Sequence, residues 1–181
     1  MDGAAVTSQT PARSWPSEIF EIFKKINIEQ VAYVPDAGHT QLIKACEADN
    51  TIQAVSLTSE EEGVAMLAGA WLGGQRGVLL MQSSGVGNCV NALSIVQECR
   101  MPLLMLVTMR GEWGEFNPWQ LPMGQGTPRT LEGAGVVVQR ADRAEDVRDV
   151  VHAAAMMTFS SNRPVAVLLG QRLIGFKDWS K

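Results

Sequence analysis

Short runs of consecutive apolar residues alternate with helix-like stretches along most of the chain. The apolar runs occupy residues 31–34, 52–57, 77–81, 103–107, 136–138 and 165–169. The helix-like stretches occupy residues 16–26, 40–48, 60–74, 88–99 and 144–159. Strands that are apolar at every position are buried on both faces, which is typical of a parallel sheet covered by helices. We therefore predict an α/β fold with three layers, α/β/α, around a six-stranded parallel sheet.

Four loops of unusual composition each follow a predicted strand. They are residues 35–39, 58–62, 82–88 and 108–130, and the last of them is predicted to be long and irregular. In open parallel sheets, ligands bind outside the carboxyl ends of the strands. We therefore expect the four loops to form one site at that edge of the sheet.

The third helix-like stretch begins with three adjacent glutamates. Ser59 and Glu62 have the spacing of a capping box, in which each side chain bonds a backbone N–H of the first turn. Glu61 is expected to face water, whereas Glu60 lies above an apolar stripe of the same helix. The following residues, 63–74, include no charged side chain, so we expect the helix to be buried around most of its circumference. Glu60 is then either part of a solvated helix entry or a buried functional carboxylate.

Composition and charge exclude several classes of protein. The chain has 181 residues and a formal net charge of −4 without a basic cluster, which argues for one domain and against nucleic acid or anionic membrane as a partner. No apolar run reaches the roughly 18–20 residues of a membrane span. Residues 1–13 are expected to be a flexible segment and residues 14–181 the folded domain. The start of the chain lacks signal-peptide features, so a cytoplasmic location is expected.

Metal and thiol chemistry have little support in the sequence. Three cysteines occur without a C-x-x-C pair, and each is expected to be a small apolar core residue. The two histidines, His39 and His152, are too few and too separated for a metal site. We therefore predict that this chain itself binds no metal.

The loop at residues 82–88 is rich in neutral hydrogen-bonding groups. Its Gly85-Val86-Gly87 segment lacks the third glycine of a dinucleotide fingerprint, and no phosphate loop is present. Ser83 and Ser84 lack the surroundings of a hydrolase nucleophile. Together with Gln82 and Asn88, such groups suit a heteroaromatic ring or a carbonyl ligand better than a triphosphate.

Arg110 follows the apolar run at residues 103–107, which is predicted to place its guanidinium at the mouth of the site. A guanidinium there suits a carboxylate, phosphonate or sulfonate. The alternative is an ion pair on the surface of the protein.

The order and spacing of these segments resemble the pyrimidine-binding domain of thiamine-diphosphate-dependent 2-oxo acid decarboxylases, over about residues 15–174. The resemblance is closest to the sulfopyruvate decarboxylase alpha subunit and the matching part of phosphonopyruvate decarboxylase. The segments that carry it are Val34-Pro35-Asp36, Glu60 with Gly69 nine residues later, Gln82 to Asn88, and Arg110-Gly111. Residues 113–129 are less characteristic, which leaves the substrate open.

The resemblance implies a role for each candidate residue. The family's glutamate at the position of Glu60 bonds the aminopyrimidine ring of the cofactor and favours its reactive tautomer. Asp36 and His39 are implied as catalytic and substrate-binding groups near the reacting carbon, and Arg110 as the receptor of an anionic substrate tail. The implied cofactor-binding residues are Glu60, Gln82, Ser83, Ser84, Gly85, Gly87 and Asn88.

The resemblance also implies that this chain is only part of an enzyme. The family binds the diphosphate through Mg²⁺ with a Gly-Asp-Gly motif, which this sequence lacks. A separate beta subunit is then expected to hold Mg²⁺ and the diphosphate within a hetero-oligomer such as a dimer of heterodimers, and this chain alone is expected to be an inactive part of the carboxy-lyase. The aromatic residues Trp113, Phe116 and Trp119 would serve that contact, or would pack on their own domain.

Other functions remain open at this stage. The same domain would serve a carboligase of the acetolactate type, or a non-catalytic paralogue that keeps the fold and binds the cofactor. A flavodoxin-like binding protein is disfavoured because a phosphate loop is missing. A buried acid without a role is costly, so Glu60 argues for an enzyme.

Overall fold

The computed structural model describes residues 14–176 and shows alternating strands and helices. The strands are β1 Ile28–Tyr33, β2 Gln53–Ser56, β3 Arg76–Gln82, β4 Leu103–Thr108, β5 Val137–Ala141 and β6 Pro164–Leu169. The helices are α1 Trp15–Lys25, α2 Thr40–Glu47, α3 Glu60–Leu72, α4 Ser83–Cys89, α5 Leu93–Glu98, α6 Leu121–Gly133, α7 Ala144–Ser161 and α8 Gln171–Ile174. The predicted flexible segment 1–13 lies outside the described residues. Within residues 14–176, no helix is both long and apolar enough to cross a membrane.

The six strands form one parallel sheet in the order β2-β1-β3-β4-β6-β5. This confirms the predicted fold class and strand number. After β2 the chain crosses to the other side of β1 to form β3, so the strand order reverses between β1 and β3. Crevices at such a reversal are the usual ligand sites of open parallel sheets. The loop after β1 and the end of β3 carry Asp36 and Gln82, so two of the predicted site residues flank this point.

Each face of the sheet is covered by its own apolar core. Helices α1, α2 and α7 cover one face, where residues such as Phe23 and Leu80 are completely buried. Helices α3 to α6 cover the other face and bury Leu79 and Met105. Since neighbouring residues of a strand point to opposite faces, a strand between two helix layers must be apolar throughout. Each buried leucine contributes about 1.5–3 kcal/mol of transfer free energy.

Helix α3 packs closely on the sheet along one side only. A Cβ atom at Gly63 would lie 2.6 Å from the Leu79 side chain, so the missing side chain permits the close approach. On the opposite side, nothing lies within 4 Å of a Cβ atom built at Gly69, and Leu72 is 75% exposed. The prediction that α3 is buried around most of its circumference is therefore wrong, because no element within residues 14–176 covers its outer side.

Two segments differ from the sequence predictions. The predicted helix at residues 88–99 is two helices, and α4 begins directly at Ser83, where a loop was expected. The irregular segment predicted at 110–130 ends in α6, which contains Gly124, Gly126 and Pro128. Glycine and proline have low helix propensity, but packing overrides it here. A Cβ atom at Gly124 would lie 2.0 Å from the Arg110 carbonyl oxygen, so only glycine allows α6 to lie so close to that loop.

Candidate functional site

Glu60 is the first residue of α3 and is 7% exposed. Its neighbour Glu61 is exposed, as predicted. The predicted capping box between Ser59 and Glu62 is not formed, because Glu62 bonds the backbone of the residue that precedes the N-cap Ser59. Glu62 accepts a hydrogen bond from the Thr58 N–H at 3.0 Å, but the Ser59 hydroxyl donates to Glu61 and does not cap the helix. Glu61 and Glu62 thus form hydrogen bonds near the start of α3, while Glu60 stays buried.

The carboxylate of Glu60 lies between α3 and α4. Its Oε2 accepts a hydrogen bond of 2.8 Å from the Asn88 side-chain amide. A Cβ atom at Gly85 would lie 2.2 Å from its Oε1, so the carboxylate rests against the bare Cα of that glycine. Glu60 is therefore a held, buried carboxylate and not part of a solvated helix entry. The apolar stripe in the sequence indicated that Glu60 is buried. Its position is fixed by the hydrogen bond from Asn88 and by the close contact with Gly85.

Asp36 is the centre of a second hydrogen-bonded cluster at the same edge of the sheet. Its Oδ2 accepts hydrogen bonds from the Thr108 hydroxyl at 2.6 Å and from the Gly38 N–H at 3.0 Å. Its Oδ1 accepts one from the Gln82 amide at 3.0 Å. The three donors belong to the loop after β1 and to the ends of β3 and β4. Asp36 thus ties together the carboxyl ends of three neighbouring strands.

The bond to Asp36 also fixes which way the Gln82 amide points. A carboxylate only accepts hydrogen bonds, so the NH₂ group of Gln82 faces Asp36 and its carbonyl oxygen faces away. That oxygen accepts a hydrogen bond of 2.8 Å from the Ser84 hydroxyl. Ser83 differs from Ser84, because its side chain is completely buried and accepts the Arg110 backbone N–H at 3.0 Å. Ser83 therefore stabilises the neighbouring loop instead of lining an open pocket.

His39 lies beneath Asp36 and is completely buried. Its Nε2 is 3.0 Å from the Leu106 carbonyl oxygen, and its Nδ1 has no hydrogen-bond partner among residues 14–176. Burial lowers the pKa of the ring from its ordinary value near 6.5, and the charge of Asp36 only partly opposes this. The ring is therefore enclosed within this chain, and a contact of His39 with a substrate stays a prediction.

Arg110 is held in an ion pair with Glu115. Its Nε and Nη2 each donate to the Glu115 carboxylate at 2.8 Å, and the Glu115 side chain is only 1% exposed. Burial alone would raise the pKa of Glu115, but hydrogen bonds from Arg110, two backbone N–H groups and Gln171 lower it to about 2. The ion-pair interpretation of Arg110 is therefore confirmed, although the pair is partly buried and not on the open surface.

Sequence reasoning missed Glu115 and Gln171, which organise the loop after β4. The Gln171 side chain is 1% exposed, donates to Glu115 and accepts the backbone N–H groups of Glu112 and Trp113 at 2.8 and 2.9 Å. Nothing in the local sequence pattern indicates either role, since Gln171 lies 56 residues beyond Glu115.

Asp36 and Arg110 meet at one small cavity. The cavity has a volume of about 210 Å³, and Gly38, Thr108 and Phe176 also line it. Its wall therefore combines the Asp36 carboxylate with a guanidinium whose charge is already balanced by Glu115. Of the residues predicted from the sequence, Asp36 and Arg110 are brought together here, while Glu60, Gly85 and Asn88 form the neighbouring cluster on α3 and α4.

All three aromatic residues of the long loop are exposed to solvent. Trp113 and Phe116 are 48% and 47% exposed, and Trp119 is 86% exposed. The Arg172 guanidinium lies 3.8 Å from the centre of the Trp113 ring, which ties that side chain to its own domain. Trp113 therefore packs on its own domain, whereas Trp119 faces outward, and a contact with a beta subunit stays a prediction.

Cys46 and Cys89 are buried, as predicted, whereas the prediction is wrong for Cys99. Burial raises the pKa of Cys46 and Cys89 to about 12, so neither is a nucleophile at neutral pH. Cys99 is exposed, because α5 ends at the preceding residue. In residues 14–176, no three His, Cys, Asp or Glu side chains come together as a group that could hold a metal ion.

Comparison with known proteins identifies the family. The family described as "Thiamine pyrophosphate enzyme, N-terminal TPP binding domain" matches residues 17–118. The chain belongs to this family. The sulfopyruvate decarboxylase subunit alpha of Methanococcus maripaludis is 32% identical over 152 residues, which cover 83% of this chain and 91% of that subunit. The phosphonopyruvate decarboxylase of Streptomyces viridochromogenes is 38% identical over 109 residues, or 59% of this chain and 28% of that enzyme.

A solved structure supports the same fold. The 2-oxoglutarate:ferredoxin oxidoreductase of Magnetococcus marinus, determined with 2-oxoglutarate, coenzyme A and succinyl-CoA bound, superposes with a TM-score of 0.73 at 14% identity. The match covers 91% of this chain and 30% of that chain. The fold is thus also found as part of a much longer chain.

The buried Glu60 cluster fits the pyrimidine half of thiamine diphosphate. A buried carboxyl group is able to share a proton with the nitrogen of a heteroaromatic ring, and Glu60 is held in place by Asn88. Gly85 has no side chain between α4 and this carboxyl group, and the later α4 residues Gly87 and Asn88 are exposed. No residue of this cluster is a positively charged ligand for phosphate, so the cluster suits the ring and not the diphosphate.

Replacing Gly85 by alanine is expected to displace Glu60. The new Cβ would lie 2.2 Å from Oε1 and 2.3 Å from Cδ of Glu60, and such overpacking costs about 1–3 kcal/mol. Chemical denaturation measures that loss, and shifted side-chain amide resonances of Asn88 report the lost hydrogen bond. Gly87→Ala, two residues later on α4, is the matched control, since only the flexible Met123 sulfur lies within 3.3 Å of its Cβ. Equal stability of the two variants would contradict the close contact.

The Glu115 ion pair predicts a particular pH dependence of stability. The pKa of Glu115 falls from 4.5 to about 2 on folding, so its contribution is complete above pH 4.5 and is lost as the pH falls toward 2. Glu115→Gln should therefore lower the free energy of unfolding at pH 7 by on the order of 3 kcal/mol, and the difference from wild type should shrink on acidification. Denaturation at several pH values measures this. Glu98→Gln, at an exposed site, should match wild type, and a pH-independent loss in Glu115→Gln would refute the pair.

Proposed function

We propose that this chain is the alpha subunit of a split thiamine-diphosphate-dependent decarboxylase that acts on a small anionic 2-oxo acid such as 3-sulfopyruvate or 3-phosphonopyruvate. The observation that carries the proposal is the buried carboxylate of Glu60, held by Asn88 and Gly85 beside the reversal point of the sheet. Family membership and the name of the Methanococcus maripaludis relative support it.

Glu60 is the group assigned to the cofactor. The chemistry that thiamine diphosphate supplies when bound is a nucleophilic carbon and an electron sink for the loss of CO₂. Glu60 would hold the aminopyrimidine ring and share a proton with its ring nitrogen through the carboxyl group. Asn88 keeps that carboxyl from rotating, and the apolar floor of α3 excludes water from it. A fixed geometry is what such proton sharing requires, because misplacement by 1 Å costs about 100-fold in rate.

The substrate is assigned to the cavity between Asp36 and Arg110. Asp36 is the hydrogen-bonding group that would face the reacting carbon, and Arg110 would face the anionic tail. Arg110 has five N–H donors, and the bond to Glu115 uses one from Nε and one from Nη2. The donors of Nη1 remain for a ligand anion. Since Glu115 balances the charge, recognition of the tail would depend on directed hydrogen bonds more than on a positive field.

The diphosphate and Mg²⁺ are assigned to a companion chain. The sequence has no Gly-Asp-Gly motif, and the matched part of the Streptomyces viridochromogenes enzyme is only 28% of its length. The term "subunit alpha" in the name of the Methanococcus maripaludis relative also fits a second subunit. Trp119, which is 86% exposed, and the uncovered outer side of α3 are candidate contacts with that chain. A hetero-oligomer and a cytoplasmic location stay predictions.

Co-expression with a chain that carries the diphosphate-binding domain tests the proposal. CO₂ release from 3-sulfopyruvate and 3-phosphonopyruvate is measured with and without thiamine diphosphate and Mg²⁺, and pyruvate serves to detect acetolactate. We expect CO₂ release only with both chains and both cofactors. Acetolactate as the sole product would favour the carboligase instead. Absence of both reactions, together with failure to bind the cofactor, would overturn the proposal.

Replacing Glu60 by glutamine is expected to lower the decarboxylation rate of the assembled enzyme by roughly 10² to 10⁴, because an amide cannot share a proton with the ring nitrogen. Steady-state kinetics of the complex with its partner measure the loss. Glu61→Gln is the matched control, because Glu61 lies on the same helical turn but is exposed. Near-normal turnover of Glu60→Gln would remove Glu60 from the mechanism.

A further inference from the structure

The two oxygens of Asp36 have different surroundings. Oδ2 accepts two hydrogen bonds, from the Thr108 hydroxyl and the Gly38 N–H, whereas Oδ1 accepts only one, from Gln82. An ionised carboxylate has about two acceptor sites on each oxygen. Oδ2 is therefore saturated by the protein, and Oδ1 keeps one free site. Only Oδ1 is able to accept a further hydrogen bond from a ligand in the cavity that Asp36 lines.

Thr108 is placed to maintain this difference. It is the last residue of the central strand β4 and is 1% exposed. Its hydroxyl lies 2.6 Å from Asp36 Oδ2 and 3.4 Å from the Met81 carbonyl oxygen, so its single proton is directed to Asp36. A β-branched side chain in a sheet has few accessible rotamers. The hydroxyl is thus fixed by the strand itself.

Gly38 completes the arrangement from the other side. A Cβ atom there would lie 2.8 Å from the Thr108 methyl carbon and 2.9 Å from Asp36 Oδ2. The absence of a side chain is therefore what lets the Gly38 N–H and the Thr108 hydroxyl reach the same oxygen. Neither Thr108 nor Gly38 was singled out from the sequence. Thr108 is an ordinary strand residue there, and Gly38 is an ordinary loop glycine.

We propose that Thr108 is a positioning residue, which saturates Oδ2 so that Asp36 meets its ligand through Oδ1 alone. The inference rests on the proposed function insofar as Asp36 faces the substrate. The terminal torsion of an aspartate is broad and roughly two-fold. Without the Thr108 hydroxyl, Oδ2 has one donor, as Oδ1 does, and the carboxylate gains the freedom to turn and present either oxygen.

Thr108→Val tests the proposal, because valine keeps the shape of threonine and removes the hydroxyl. With the companion subunit present, we expect kcat to fall about tenfold while KM changes less than about twofold, since orientation of a reacting group affects the transition state more than substrate binding. Thr108→Ser, which retains the hydroxyl, should restore most of kcat. Gly38→Ala perturbs the same oxygen from the loop and should lower kcat as well.

Thr158→Val is the matched control for the loss of a buried threonine hydroxyl. Thr158 is completely buried in α7 and donates to the Ala154 carbonyl oxygen at 2.8 Å, on the other face of the sheet from α3. It should lose stability much as Thr108→Val does, yet keep the wild-type kcat. An equal fall of kcat in both valine variants, or a wild-type kcat in Thr108→Val, would overturn the proposal.

NMR spectra of this chain provide a readout that is independent of catalysis. In Thr108→Val, the Gly38 backbone amide and the Gln82 side-chain amide should shift, because both donate to the carboxylate that is released. Thr108→Ser and Thr158→Val should leave both signals in place. Unchanged signals in Thr108→Val would overturn the inference. An inactive wild-type complex, by contrast, would count against the proposed function while the NMR comparison still decides the role of Thr108.

Discussion

The contact between the Glu60 carboxylate and the bare Cα of Gly85 is the constraint on which the candidate site depends. The carboxylate has little access to water, and a side chain at Gly85 would occupy its place. Burial of a carboxylate is costly unless hydrogen bonds compensate, and here Asn88 supplies one. Because Gly85 and Asn88 lie on one short helix, the packing of α4 against α3 and the position of the acid are a single structural feature.

The fold and the centre of the site follow from local patterns in the sequence. Continuous apolar runs indicated the parallel sheet, and an acid above an apolar stripe indicated a buried Glu60. Strand ends marked the loops that contain Asp36 and Gln82, and the family resemblance then singled out these two residues. Each of these signals extends over fewer than about ten residues, within the range in which periodicity and strand ends are informative. The order of the strands then places the residues on one edge.

The groups that the sequence did not reveal act through long-range contacts. Glu115 and Gln171 organise a loop through hydrogen bonds across 56 residues, and Thr108 reaches Asp36 across 72. Helix α4 was missed because its glycines argue against a helix, although their small size is what its packing requires. His39 is close to Asp36 in the chain, but its ring is completely buried, and burial lowers its pKa.

Strand β3 and helix α4 follow one another without a connecting loop, and this limits what the junction between them tolerates. Gln82 ends the strand and Ser83 begins the helix, so the two share one rigid backbone. An inserted residue there would rotate Asn88 away from its acid. The length of the junction between strand and helix and the position of the hydrogen-bond donor to Glu60 are therefore set together.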